Sequence, residues 1–396
     1  MKLSLCIIVK NEEAALPQCL SSVKDVVDEM VVLDTGSSDR TPEIAREFGA
    51  KVYHFQWCND FSAARNESLK YVQGDWVLVL DADEVLVPEI VPQLKQAIES
   101  DRHILINLVR QEVGASQSPY SLVSRLFRHH PEVRFSRPYH AMVDDSVQAL
   151  LQREPQWQVG YLPEVAMLHY GYQPGAIASR DKLTKARTTM EGFLATHPND
   201  PYVCSKLGGL YIDVGQQSQG IELLKRGLTS NEVDASILYE LHYHLGNAYT
   251  RLPNFAQAAV HYQAAIQQPV LPILKLDAYN NLGNLLKAAG DLANARKAYC
   301  TALEIDPNFT TGYYNLGMTL KAMGLFEDAI ASYRKAIELN PNYADAYQNL
   351  GVVLLKTGNV PESLAAFRDA IALHQQHNPD EAQRLCQGLQ EMGFQV

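Results

Sequence analysis

Leu3 to Val9 is an unbroken apolar run of seven residues that gives way at once to Lys10-Asn11-Glu12-Glu13. The run is too short for an ordinary helix and has no polar face, so it predicts a strand buried on both sides, followed by an amphipathic helix through Val23. The pattern then recurs. Met30-Val31-Val32-Leu33 ends in Asp34-Thr35-Gly36-Ser37-Ser38-Asp39-Arg40-Thr41, a turn and helix cap with Pro42 in the first helical turn. Lys51 to Gln56 predicts a third strand, Asp60 to Tyr71 a helix, and Asp75 to Leu80 a fourth strand. Alternating strands and helices predict an α/β domain with a mostly parallel sheet. Ligands of such sheets collect beyond the carboxyl ends of the strands, so Lys10, Asn11, Asp34 and Asp81 are expected to converge.

From about residue 201 the period changes. Leu282-Gly283, Leu316-Gly317 and Leu350-Gly351 recur at 34 residues, as do Tyr299, Tyr333 and Phe367, and Ala302, Ala336 and Ala370. This is the pattern of tetratricopeptide repeats, paired helices in which Gly and Ala permit close approach while Leu and aromatic rings fill the gap. Leu207-Gly208 and Leu245-Gly246 mark two looser units, the second followed by an insertion around Pro269-Val270-Leu271-Pro272. About five repeats are expected, with a capping helix over residues 378–396.

The candidate chemistry lies in the first part. Leu80-Asp81-Ala82-Asp83-Glu84 puts three carboxylates where a buried strand meets a loop. Buried carboxylates are costly to desolvate unless a cation or ligand neutralises them. Alternation turns Asp81 and Asp83 the same way, which suits a hard divalent ion, Mg or Mn, and through it a diphosphate. A solvated Asp-rich turn is the plainer alternative.

Taken in order, Val9-Lys10-Asn11-Glu12, Leu33-Asp34-Thr35-Gly36-Ser37-Ser38-Asp39-Arg40-Thr41, Asp60-Phe61-Ser62-Ala63-Ala64-Arg65-Asn66 and Leu80-Asp81-Ala82-Asp83-Glu84 resemble the family 2 glycosyltransferases of the GT-A fold. The resemblance covers roughly residues 3 to 172. It implies a Rossmann-like domain that moves a sugar from a nucleotide-sugar donor with inversion at the anomeric carbon. It also implies Lys10, Asn11, Glu12, Asp34 and Arg65 on the donor, with Asp34 at the base and Arg65 nearer the phosphates. Asp81 and Asp83 would then serve donor and metal. Further on, Arg125-Leu126-Phe127-Arg128 and His169-Tyr170-Gly171-Tyr172 are similar to later segments of related transferases, which makes His169 a candidate third metal ligand. A hydrogen-bonded wall residue is the other reading of His169. Related enzymes carry a His-Glu pair where this chain has His140-Ala141, so the acceptor's proton needs another base. Asp144, Asp145 and His140 are the candidates, and a polar loop is the alternative for either aspartate.

The expected organisation is a transferase domain over residues 1–175, a connecting helix over 176–200 and repeats over 201–396. Gln173-Pro174-Gly175 breaks the chain before the helical spacing of Arg180 to Ala195. Asn281, Asn315 and Asn349 share one repeat position, which makes them either an exposed ladder for a protein or peptide acceptor or partner, or hydrogen bonds between helices.

A net charge of -11 argues against sequence-independent nucleic-acid binding. Six scattered cysteines without a Cys-x-x-Cys pair suit reduced thiols and a cytoplasmic setting, with peripheral membrane attachment left open. No run reaches the length of a membrane span. Two rival functions follow from the same residues. A sugar nucleotidyltransferase would need a Gly-rich phosphate loop where Lys10-Asn11-Glu12-Glu13 stands. A protein-binding scaffold with a degenerate, inactive transferase domain would explain the missing His-Glu glutamate.

Overall fold

The computed structural model describes residues 1–115, 119–171, 180–230 and 233–394. The chain divides into two compact units, Met1–Glu232 and Val233–Val396. In the first unit the order is β1 (Leu3–Val9), α1 (Leu16–Val23), β2 (Glu29–Asp34), α2 (Thr41–Glu47), β3 (Lys51–His54), α3 (Phe61–Leu69), β4 (Trp76–Val79), β5 (Glu84–Leu86), α4 (Val91–Ile98), β6 (His103–Glu112), β7 (Tyr120–Arg128), α5 (Asp144–Arg153) and β8 (Gln158–His169). Three helices complete it: α6 (Arg180–Thr196), α7 (Pro201–Asp213) and α8 (Gln217–Gly227).

The eight strands form one sheet in the order β3-β2-β1-β4-β7-β6-β8-β5. The first four are parallel neighbours, as the alternation of strands and helices requires. The remainder is mixed: β7 runs antiparallel between β4 and β6, and β5 antiparallel to β8. Apolar residues of both strand faces are buried because each face has its own layer. Leu5, Ile7 and Leu78 pack with Leu16, Leu20 and Leu94 of α1 and α4. Cys6, Val77 and Val79 pack on the other side with Leu69 and with Val147 and Leu150 of α5. Burying Leu5, Ile7 and Leu78 contributes roughly 1.5–3 kcal/mol for each side chain. That burial fixes which residues are left at the strand ends.

Local signals set the element boundaries. Asp60 caps α3 by accepting from the backbone N–H of Ala63 at 3.1 Å, and Pro42 occupies the first turn of α2. The expected break at Gln173-Pro174-Gly175 and Tyr172 lie outside the described residues.

The second unit contains α9 (Ala235–Arg251), α10 (Phe255–Gln267), α11 (Leu276–Ala288), α12 (Leu292–Ile305), α13 (Thr310–Ala322), α14 (Phe326–Leu339), α15 (Ala344–Lys356), α16 (Val360–His377) and α17 (Pro379–Glu391). Each consecutive pair packs through the repeated glycine. A Cβ on Gly283 would stand 2.7 Å from the Tyr299 ring, and one on Gly317 would meet Tyr333 at the same distance. The ring therefore fills the space that glycine leaves. The insertion after α10 forms a short 3-10 turn at Pro272–Lys275, and α17 covers Phe367 and Ile371 of α16.

The asparagines do not form an exposed ladder. Asn315 is buried and donates to Asn280 Oδ1 at 2.9 Å; Asn281 donates to Asn247 Oδ1 at 3.2 Å and Asn349 to the Tyr314 hydroxyl at 3.3 Å. Of the two readings, these bonds fit hydrogen bonding between helices, each amide joining one repeat to the preceding one, with Asn315 buried and Asn281 and Asn349 half-buried. The physical reason is that an amide close to a helix–helix contact must be satisfied there once water is excluded.

Candidate active site

The loops after β1 and β2 are stitched together. Asn11, at φ +55°, accepts at Oδ1 from the backbone N–H of Ser38 at 2.7 Å, and its own N–H donates to Ser37 Oγ at 2.9 Å. The Glu12 N–H donates to Thr41 Oγ1 at 2.7 Å. Asp34 is buried at the end of β2 and accepts from the backbone N–H groups of Gly36 and Ser37, with His54 Nδ1 at 3.2 Å. It thus shapes the turn. Lys10 is exposed beside this loop.

Asp81 stands at the centre. Arg65 Nη2 donates to its Oδ1 at 2.6 Å and Arg125 Nη2 to its Oδ2 at 2.8 Å. Burial opposes the charge, but the guanidiniums of Arg125 and Arg65 hold the Asp81 carboxyl well below the usual carboxylate range. Both oxygens are engaged by arginine, which leaves Asp83 the less committed of the two carboxylates expected at a metal. The alternation expected for Asp81 and Asp83 does not reach them, because β4 ends at Val79 and both lie in the link before β5, and local spacing could not show a guanidinium arriving from a distant strand. Arg65 is buried on α3 with its guanidinium 5.5 Å from the centre of the Phe135 ring. Asn66 beside it exchanges two hydrogen bonds with the Phe135 backbone, at 2.9 and 2.8 Å. Nη1 of Arg65 and Nη1 of Arg125 are both buried without a hydrogen-bond partner.

Asp83 turns to the other side of the cluster. Its Oδ2 lies 3.3 Å from His169 Nε2, and His169 Nδ1 lies 2.5 Å from Glu112 Oε2. Strand pairing of β5 with β8 sets this register, with Glu84 opposite His169. Glu112 is in turn held by Arg110 at 2.7 Å and by the Ser121 hydroxyl at 2.8 Å, and Arg110 also pairs with the fully buried Glu84 at 2.8 Å. Burial lowers the basicity of His169, yet its bonds to Asp83 and Glu112 outweigh this and raise its pKa to about 9. A Cβ on Gly171 would come within 2.6 Å of His169 Nε2 and 3.4 Å of Asp83 Oδ2, so Gly171 packs directly against this pair and only glycine fits there.

Among the described residues no group of three or more His, Cys, Asp or Glu side chains is set to hold a metal. Asp83 and His169 nevertheless fit one as a pair: an oxygen and a nitrogen ligand converge, and the imidazole's other nitrogen is bound to a carboxylate. A two-residue set suits an ion that takes its remaining ligands from water and phosphate.

The three base candidates differ. Asp145 pairs with Arg137 and accepts from the Ser136 hydroxyl, both at 2.5 Å. His140 is exposed at φ +52° and meets the Tyr139 ring edge-on. Asp144 opens α5, receives the Ser124 hydroxyl at Oδ1 at 2.8 Å, and keeps Oδ2 buried with no partner. Burial pushes its pKa up to about 6. Sequence reasoning missed Arg110, Glu112, Asn107 and the role of Arg125. Arg125 lay inside a recognised segment, but nothing in its spacing pointed to Asp81.

Known proteins reproduce both halves of this arrangement. A model of glycosyl transferase family 2 matches residues 4–160, and tetratricopeptide repeat models match residues 283–324, 319–358 and 344–384. The TPR repeat-containing protein Synpcc7942_0270 of Synechococcus elongatus is 45% identical over 306 residues, 77% of this chain and 76% of that protein. The SPbeta prophage-derived glycosyltransferase SunS of Bacillus subtilis is 26% identical over 228 residues, 57% of this chain and 52% of its own length. An uncharacterized glycosyltransferase of Rickettsia felis is 36% identical over 155 residues, 37% of this chain and 54% of its own length. The chain thus spans about half the length of these two transferases. Among solved structures, YrrB, a TPR protein with an unusual peptide-binding site, aligns with 52% of this chain and 100% of its own at a TM-score of 0.42 and 19% identity. With residues 4–160 matched by the family 2 model and residues 283–384 by the repeat models, the chain belongs to the family 2 glycosyltransferases, here joined to C-terminal tetratricopeptide repeats.

Proposed function

We propose that the first unit transfers a sugar from a nucleotide-sugar donor, with inversion, to an acceptor that the repeats help to recruit. The observation that carries the donor half is the pair of buried, unpartnered Nη1 groups of Arg65 and Arg125 beside Asp81. Two guanidiniums share one carboxylate, and each keeps one buried nitrogen without a partner. Such a site favours an anion, and a departing diphosphate supplies one. Asp81 holds the two forks in place, and the turn formed by Asn11, Asp34 and Ser37 receives the nucleoside.

Asp83 and His169 would hold a divalent ion, Mg or Mn, with Glu112 orienting the imidazole. The ion, when bound, supplies charge neutralisation to the donor phosphates. Asp144 serves as the base: its free Oδ2 accepts the proton of the acceptor's nucleophilic group as that group bonds to the anomeric carbon. Among the three candidates it is the one whose carboxylate is not committed to an ion pair or turned to solvent. Its elevated pKa keeps it a competent base near neutral pH.

Incubating the full chain with a panel of uridine and guanosine diphosphate sugars and manganese, and measuring nucleoside diphosphate release, tests the reading. Release from at least one donor, lost in Arg125→Ala, is expected. No release and no nucleotide binding with any member would leave the domain a non-catalytic scaffold and overturn it.

A further inference from the structure

The strand that carries Arg125 also carries the residue that holds Asp144. Ile106 pairs with Leu126 and Leu108 with Val123, so Ser124 and Arg125 together face the single residue Asn107. This is a β-bulge, and it changes where side chains point. Counting back from Leu126, which lies in the layer of Leu78 and Ile106, regular alternation would send Ser124 into that apolar layer. With the extra residue it turns instead to the opposite face. There Ser124 Oγ lies 2.8 Å from Asp144 Oδ1 and 2.9 Å from Asn107 Oδ1. Arg125, two residues before Phe127, reaches Asp81 from the same face. One inserted residue therefore aims adjacent side chains at the donor arginine cluster and at the base.

Asn107, Ser124 and Asp144 stand in a row with one hydroxyl between an amide and a carboxylate. With Asp144 ionised, the row is complete when the Asn107 amide is turned so that Nδ2 donates to Ser124 and the hydroxyl donates to Asp144 Oδ1. With Asp144 protonated at Oδ2, Oδ1 still accepts from the Ser124 hydroxyl and the row keeps the same order. Every bond is satisfied in both charge states. In both, Oδ1 is the engaged oxygen and Oδ2 the buried one that lacks a partner.

We propose that Ser124 and Asn107 are positioning residues for Asp144, holding Oδ1 so that Oδ2 receives the acceptor's proton. The assignment rests on the reading of Asp144 as the base. In the step it serves, the acceptor's proton passes to Asp144, its freed electron pair forms the bond to the anomeric carbon, and the bond from that carbon to the diphosphate breaks with its pair on the phosphate oxygen.

The test uses the full chain labelled with carbon-13 at the aspartate side-chain carboxyls, with the Asp144 resonance identified by its loss in Asp144→Asn. A midpoint of about 6 is expected for the unaltered chain. Ser124→Ala removes a donor to the charged form and should raise that midpoint by about one pH unit, with a smaller rise in Asn107→Ala and recovery in Ser124→Thr. The pH profile of nucleoside diphosphate release from the donor panel should move with it. An unchanged midpoint in both alanine variants would overturn the proposal. Undiminished turnover in Asp144→Asn would instead overturn the base reading, and the carboxyl titration would still decide separately whether Ser124 and Asn107 hold Asp144.

Discussion

Glu112 Oε2 lies 2.5 Å from His169 Nδ1, a carboxylate bound to the imidazole nitrogen that faces away from Asp83. This contact fixes the ring so that Nε2 is the nitrogen turned toward Asp83. Glu112→Gln should therefore weaken manganese binding by roughly 10- to 100-fold while leaving both metal-facing side chains in place. Electron paramagnetic resonance titration of free manganese measures it, and wild-type affinity in Glu112→Gln would remove the orienting role.

Asp83→Asn removes one of the two converging ligands and should abolish metal-dependent nucleotide binding with little change in thermal stability, because the Asp83 side chain is 40% exposed. Asp81→Asn should behave differently: Arg65 and Arg125 lose their shared anion, and both stability and donor binding fall. The guanidiniums are buried but the Asp81 side chain is 34% exposed, so the stability loss should fall below the roughly 3–5 kcal/mol of a fully buried broken pair. Calorimetric titration with uridine and guanosine diphosphates, with and without manganese, separates the two variants. Equal behaviour would return Asp81 to the metal.

The raised pKa of Asp144 has a stability consequence with a definite sign. The native state favours the protonated carboxyl, so the stability it contributes is complete below the unfolded value near 3.8 and is lost as pH rises through about 6. Asp144→Asn should remove that dependence and gain stability relative to the unaltered chain, by up to about 3 kcal/mol, between about pH 4 and about pH 8. Urea unfolding at the two ends of this range tests it. A stability difference that does not vary with pH would show that Asp144 titrates normally.

In the repeats, Gly317→Ala drives a Cβ to within 2.7 Å of the Tyr333 ring. A loss of about 1–3 kcal/mol is expected from this overpacking, read as a lower unfolding midpoint. Gly317→Ala combined with Tyr333→Leu should recover part of it.

Asn315→Ala leaves Asn280 Oδ1 without its donor in a buried contact between repeats, at a cost of about 1–3 kcal/mol. Nucleotide binding should not change. A double-mutant cycle with Asn280→Ala should return most of the loss as coupling energy, and additive effects would show that the amide contact is not a bond between repeats.

Much of this molecule is legible in one dimension. The apolar runs at Leu3–Val9, Glu29–Asp34 and Trp76–Val79 appear as strands, and the 34-residue period appears as paired helices, because period and burial are properties of neighbouring residues along the chain. Asp34 and Asp81 were placed at strand ends for the same reason. What those carboxylates touch was decided elsewhere. Asp81 meets Arg125 because β7 lies antiparallel beside β4, and His169 meets Asp83 and Glu112 because β8 lies between β6 and β5. The asparagines were read correctly as a repeated position, but whether a repeated side chain faces a groove or a neighbouring helix depends on the packing of one pair of helices on the next. Local sequence sets the period of a side chain, whereas partners from distant strands and helices set its protonation and its bonds.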